Sequence, residues 1–204
     1  MTSRTYLSLA PVVPVLTIER AQDAVPLAKA LVAGGLKVLE VTLRTPAAIE
    51  AMERISGEVE DAVLAAGTVL TLADLTRAAK AGAKFAFSPG IADFMLEPQL
   101  MPILPGVATA SELMRGLAAG IDTFKFFPAV PAGGMGALKG FGGPFPQVAF
   151  CPTGGIGLAN VGEFLALSNV LCVGGSWVAP MDAIASGDWA RIEWLAKQAA
   201  GLKA

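Results

Sequence analysis

Eight short, strand-like runs recur along the chain at intervals too long for hairpin turns: VVPVLTI (12–18), VLEVTL (38–43), AVLAAGTV (62–69), FAFSPG (85–90), PILPGV (102–107), TFKFFPA (123–129), AFCPTGG (149–155) and LCVGGSWV (171–178). Most of the segments between them carry helix signals. Residues 21–33 (AQDAVPLAKALVA) place Ala24, Leu27, Ala28 and Leu31 on one stripe. Thr45-Pro46 reads as an N-cap followed by proline at the first helical position. Thr71 to Asp74 opens a helix in the manner of Thr109 to Glu112, which has capping-box spacing, and Gly120 is placed to end the latter. Residues 189–202 form an amphipathic pattern suited to an outer covering helix. Strands that alternate with helices run parallel, because each helical crossover returns the chain to the same end of the sheet. Eight such units close naturally into a barrel, although 204 residues is near the lower size limit of that fold. An open doubly wound sheet is the rival, but the first strand-to-helix turn lacks a GxGxxG loop. The expectation is an α/β protein: a single (β/α)8 TIM barrel with parallel strands and outer helices, spanning residues 1–204 as one domain.

Composition narrows what such a barrel could do. Hydrophobic residues make up 54% and mean hydropathy is +0.60, which fits buried parallel strands. The two longest charge-free runs, 140–162 and 164–181, are broken by Gly, Pro, Ser or Asn, so no membrane span is expected. No export signal is visible in MTSRTYLSLAPVVPV, and a cytoplasmic protein is expected. A formal net charge of −2 offers no basic face for nucleic acid. The chain contains no histidine, which removes Ser-His-Asp and Cys-His catalysis together with the commonest metal ligand. The acidic residues are scattered, so no metal site is expected. Cys151 and Cys172, each inside an apolar run, read as reduced core residues. Trp177, Trp189 and Trp194 read as core or subunit-interface anchors, and Met95, Met114 and Met135 as gap fillers.

Two ionisable residues break the pattern. In TFKFFPA, alternation puts Thr123, Lys125 and Phe127 on one face and Phe124 and Phe126 on the other. The two buried aromatics suit the helix-facing side, so Lys125 points into the barrel. In VLEVTLRT, Leu39, Val41 and Leu43 form an apolar face, leaving Glu40, Thr42 and, just past the strand, Arg44 opposite. A lone strand lysine is most often a solvated charge or half of a structural ion pair. Two such residues aimed at one interior suggest chemistry, because buried charges are rare without a partner or a purpose. A desolvated amine is a nucleophile able to form a Schiff base with a ketone, and a carboxylate in the same dry site suits proton transfer. Burial and opposite charge act against each other on both groups, so their protonation states stay open at this point.

Glycines supply a third element. Thr153-Gly154-Gly155-Ile156-Gly157 follows the seventh run, and Gly174-Gly175-Ser176 lies within the eighth. In (β/α)8 enzymes the loops after strands 7 and 8 often hold phosphate through backbone N–H groups. A glycine pair can equally mark a tight turn, so the signal rests on two pairs at adjacent strand ends.

The segments VVPVL, ALVAGGLKVLEVTLRT, AAGTVL, SPG, PGVAT with SELM, FKFFPA, FCPTGGI and LCVGGSW, in that order from about Pro11 to Pro180, resemble the 2-keto-3-deoxy-6-phosphogluconate (KDPG) and 4-hydroxy-2-oxoglutarate (KHG) aldolases. The resemblance implies a class I aldolase of the Entner–Doudoroff pathway, a (β/α)8 homotrimer that needs no metal or organic cofactor. It implies Lys125 as the Schiff-base lysine, Glu40 as the general acid–base residue and Arg44 as the holder of the pyruvate carboxylate, with Thr68 beside it. Pro89 and Phe127 match pocket-wall positions, Thr153 a contact to substrate hydroxyls, and Gly154, Gly155, Gly175 and Ser176 the phosphate loops. Two departures stand out: alanine in place of a common glycine in AAGTVL, and the loop AVPAGGMGALKGFGG after the lysine. The alternatives are cleavage of the galactonate epimer, a non-imine phosphosugar epimerase or decarboxylase of the same fold, and a non-catalytic phosphometabolite-binding protein.

Overall fold

Strands buried on both faces must be largely apolar, and VLEVT and VLAAG meet that condition apart from the Glu40 carboxylate and the Thr42 hydroxyl. In the computed structural model, which describes residues 2–202, β1 (Val12–Leu16) and β3 (Val63–Gly67) flank β2 (Val38–Thr42), every residue of which is buried. β2 and β3 pair in parallel from Val38 with Val63 to Thr42 with Gly67. With β4 (Phe85–Phe87), β5 (Ile103–Leu104) and a last strand, β9 (Val173–Gly175), they make a curled six-stranded parallel sheet in the order β5-β4-β3-β2-β1-β9. β6 (Gly106–Val107), β7 (Thr123–Phe126) and β8 (Ala149–Pro152) form a separate three-stranded parallel sheet in that order.

The eight expected runs therefore appear as nine short strands in two sheets rather than as one continuous eight-stranded ladder among the described residues. Pro105 explains one break: it has no N–H to give and falls between β5 and β6. Its carbonyl still accepts from the Lys125 N–H at 2.9 Å. Between β8 and β9 the contact is reduced to two isolated parallel bridges, Phe150 with Val170 and Thr153 with Gly174.

Alternation sorts the side chains as the sequence predicts. Leu39, Val41, Phe124 and Phe126 join the large outer core under the helices. Val13, Val38, Ala65, Phe85, Phe87, Leu104, Cys151 and Cys172 form a smaller inner cluster, and both cysteines are free and buried. Helix α1 (Ser3–Leu7) covers that cluster, with Leu7 fully buried and Tyr6 stacked on Phe85 at 5.0 Å.

The helices follow local signals with instructive exceptions. α4 (Leu72–Lys80) and α5 (Ala110–Ala118) begin with complete capping boxes, Thr71 with Asp74 and Thr109 with Glu112. Gly120, at φ +80°, turns the chain after α5. α2 (Ala24–Ala33) starts later than expected, because residues 21–23 wind as a 3-10 turn held by Arg20 on Asp23 at 2.7 Å. Thr45 does not cap α3 (Ala48–Glu58): its hydroxyl donates instead to the Ile18 carbonyl at 2.6 Å. Met114, expected as a gap filler, is 62% exposed because it lies on the outer face of α5. Met95 is buried and Met135 packs partly buried against the core. Trp177 and Trp189 also pack against the core, whereas Trp194, on the last helix (Trp189–Ala200), is 60% exposed, which rules out a core role for it within one chain. No helix among the described residues is long and apolar enough to cross a membrane.

The packing of α5 on β7 depends on Gly116, where any Cβ would run into the Phe124 ring. Phe124→Ala should lower unfolding free energy by about 3–5 kcal/mol, and Thr109→Ala, which removes only a cap, by about 1 kcal/mol. Urea unfolding midpoints check both; equal effects would mean that Phe124 is not a core anchor.

Candidate active site

β7 and β2 carry the two inward charges from different sheets to one point. Lys125 Nζ donates to Glu40 Oε1 at 2.9 Å, with the lysine 3% and the glutamate 0% exposed. The ammonium also lies 5.0 Å from the centre of the Phe87 ring and 5.5 Å from that of Phe127. Aromatic faces attract a cation in a way that aliphatic walls do not. The other carboxylate oxygen, Glu40 Oε2, is buried and has no partner among the described residues. A buried oxygen without a partner is costly, by about 1–3 kcal/mol.

Gly67, at the end of β3, makes room for this carboxylate: a Cβ there would collide with the Glu40 side chain. The next residue, Thr68, sits at φ +59°, a conformation that costs a β-branched residue about 1–3 kcal/mol. That backbone turn presents Thr68 Oγ1 to Arg44 Nε at 3.0 Å. Arg44, exposed just beyond β2, is therefore aimed by a partner on the neighbouring strand. Pro89 is backed by Gly106, the register partner of Lys125, whose missing Cβ lets the two backbones touch.

Above the ion pair opens a cleft of about 500 Å³. Arg44, Phe127, Thr153, Gly154, Gly155, Gly175 and Ser176 all line it. Lys125, Glu40, Thr68 and Pro89 do not: the first two are buried behind Phe127, Thr68 bonds Arg44, and Pro89 lies against Gly106. Gly154 and Gly155 adopt φ +105° and +77°, so only glycine turns the chain there without strain. Gly174 leaves space for the Thr153 side chain, and Gly175 for the Trp177 indole. The wall also contains Thr17, which the sequence did not single out, and Trp177, which the sequence marks as a core or interface anchor. For Thr17 the signal was present: Val13, Val15 and Thr17 share the inward face of the first strand-like run.

The remaining candidate nucleophile is silent. Contact with Cys151, then burial, then the Glu40 carboxylate hold the Cys172 thiol well above its ordinary range. It stays protonated and unreactive. No cluster of three or more potential metal ligands occurs among the described residues. A larger cavity, about 690 Å³, lies beside Arg4, Asp122 and Thr123 at the opposite ends of the strands and includes none of the site residues. The chemistry, not the volume, selects the smaller cleft: Arg44 lies in its wall with the glycine loops, and Phe127, another wall residue, separates it from the buried Lys125–Glu40 pair. Such an arrangement can take a keto acid at the amine and an anionic tail at the loops.

Comparison with known proteins agrees. The family model described as KDPG and KHG aldolase matches residues 4–195. The chain is 52% identical over 202 residues to the 2-dehydro-3-deoxy-phosphogluconate aldolase of Pseudoalteromonas atlantica, covering 98% of this chain and 94% of that one. It is 50% identical over 200 residues to the KHG/KDPG aldolase of Escherichia coli strain K12, covering 97% and 94%. The crystal structure of a KDPG aldolase from Legionella pneumophila, with pyruvate captured at low pH as a covalent carbinolamine intermediate, superposes with a TM-score of 0.96 at 47% identity, covering 98% of this chain and 99% of that one.

The buried pair generates a stability test that needs no substrate. Lys125→Met leaves an uncompensated interior carboxylate and should cost about 3–5 kcal/mol. Adding Glu40→Gln should recover part of that loss, since the lone charge is then gone. Denaturant midpoints of the single and double variants decide; a double variant no more stable than Lys125→Met would mean the two charges are not energetically coupled.

Proposed function

The chain belongs to the KDPG and KHG aldolase family, and from that premise we propose that it works as a class I aldolase cleaving 2-keto-3-deoxy-6-phosphogluconate to pyruvate and glyceraldehyde 3-phosphate. The observation that carries the residue assignment is the 2.9 Å contact between Lys125 Nζ and Glu40 Oε1, both shielded from solvent.

The substrate enters with its carboxylate on Arg44 and its phosphate on the loops of Gly154, Gly155, Gly175 and Ser176. Lys125 attacks the C2 ketone; Glu40 supplies the proton with which the carbinolamine oxygen leaves as water, giving an iminium. That cation is an electron sink. Glu40, directly or through a water, then takes the proton of the C4 hydroxyl, the C3–C4 bond breaks, and its electron pair flows into the iminium to give an enamine. Glyceraldehyde 3-phosphate leaves. Protonation of the enamine at C3 and hydrolysis of the imine release pyruvate and return the free amine. Phe87 and Phe127 beside Nζ keep bulk water from the intermediate. Thr153 faces the hydroxyl-bearing carbons, and Pro89 with Phe127 shapes the wall around the nucleophile. Cleavage of 4-hydroxy-2-oxoglutarate to pyruvate and glyoxylate uses the same Lys125, Glu40 and Arg44.

We read residues 1–204 as one catalytic unit and the two sheets as a single (β/α)8 ring, a reading supported by the β5 and β6 segments abutting at Pro105 and by the Thr153–Gly174 bridge. A homotrimer is the proposed assembly: Leu70, Leu72 and Met114, all more than half exposed, offer apolar surface for another copy. A cytoplasmic location suits two thiols that stay reduced.

Borohydride added in the presence of pyruvate should fix one reduced pyruvyl group on Lys125, located by peptide mass spectrometry, and should abolish turnover. Lys125→Ala should take no label and lose activity by at least about 1,000-fold. Label on another lysine, or turnover that survives reduction, would remove Lys125 as the nucleophile. Pyruvate release from the phosphogluconate substrate, its galactonate epimer and 4-hydroxy-2-oxoglutarate then ranks the substrates.

A further inference from the structure

We propose that Thr17 is a specificity-determining residue, whose hydroxyl oxygen accepts a hydrogen bond from the C5 hydroxyl of the sugar-acid substrate; this rests on the aldolase reading above. Register places it. Val15 pairs with Glu40 and Leu16 with Val41, so Thr17 stands opposite Thr42, one inward-facing step above the catalytic carboxylate. Its strand lies between β2, which leads to Arg44, and β9, which leads to Gly175 and Ser176. Thr17 therefore lines the cleft midway between the carboxylate clamp and the phosphate loops.

Proton accounting gives the polarity of the contact. The Thr42 hydroxyl donates to the Leu16 carbonyl at 2.9 Å, which uses its only proton. Any bond between the two threonine hydroxyls, 3.4 Å apart, must then run from Thr17 to Thr42. With its proton turned toward Thr42, Thr17 is left with lone pairs toward the cleft. An acceptor repels a phosphate or carboxylate and suits a hydroxyl. Along the substrate, C1 is held by Arg44, C2 is bonded to Lys125, the C4 hydroxyl must give its proton to Glu40, and the phosphate on C6 occupies the glycine loops. The C5 hydroxyl is the group left to meet Thr17.

Three substrates separate this from a structural role: 2-keto-3-deoxy-6-phosphogluconate, 2-keto-3-deoxygluconate without phosphate, and 4-hydroxy-2-oxoglutarate, which has no C5 hydroxyl. Pyruvate release is followed well below KM, so rates report kcat/KM. Thr17→Val should lower kcat/KM about tenfold on both sugar acids and leave 4-hydroxy-2-oxoglutarate within about twofold of the parent chain. Thr17→Ser, which keeps the oxygen, should restore the sugar-acid rates. Equal loss on all three substrates would show a structural effect, loss confined to the phosphorylated one would show a phosphate contact, and no loss would show no contact; each overturns the proposal. Failure of the parent chain to release pyruvate or to be trapped by borohydride would instead overturn the aldolase reading itself.

Discussion

A lysine and a glutamate with almost no exposure share one hydrogen bond at 2.9 Å, and the rest of the site is arranged around holding them there. Removing such charges from water costs several kcal/mol for each ion, of which their attraction returns only a part. The fold meets this with two aromatic faces near the ammonium and a single well-made bond to one carboxylate oxygen. It leaves the second oxygen unpaired. A structural ion pair would be expected to satisfy both oxygens. Under the proposed mechanism, the second oxygen is where a substrate hydroxyl or a water gives up or collects a proton.

Curvature of the parallel sheet is what makes the pair possible. Glu40 belongs to the six-stranded sheet and Lys125 to the three-stranded one, so their contact bridges the two. On a flat sheet, residues this many strands apart could not touch. The inner cluster of Phe85, Phe87, Leu104, Cys151 and Cys172 packs apolar side chains within the curl, where the pair is shielded from water. The neutral Cys172 thiol belongs to that cluster: a thiolate so near Glu40 would add a second negative charge to one that is already only singly compensated.

The inward charges were legible because period-two alternation is a strong rule in short strands, and FKF and LEVT allow one consistent facing each. The capping boxes at Thr71 and Thr109 were legible for a similar reason, since both halves of each motif are local. Thr45 was not, because its competitor, the Ile18 carbonyl, belongs to another strand end and is invisible in a local window. The interrupted ladder at Pro105 could have been read from the missing N–H, whereas the sparse pairing before β9 has no local signature. Thr17 was passed over because a threonine in an apolar run reads as an ordinary β-former. Its meaning comes from standing opposite Thr42, and register between strands is set by tertiary packing.

The loop glycines stand out as phosphate holders, but four glycines, Gly175 among them, carve the site by what they lack. Gly67 gives up a side chain to Glu40, Gly106 to the Pro89 backbone, Gly174 to Thr153 and Gly175 to Trp177. None of the four has the positive φ that only glycine takes easily, so conformational freedom does not explain them. Glycine inside a strand weakens it, by about 0.5–1 kcal/mol relative to alanine where space allows a methyl group. Here space does not allow it. The sheet is thinned at the points where the amine, the carboxylate and the cleft wall must sit, and stability is recovered in the outer core, where Phe124, Phe126 and Phe150 are fully buried. Bulk outside and absence inside are two parts of one packing solution. An alanine at Gly67 would therefore act on the position of the Glu40 carboxylate before it acted on the fold.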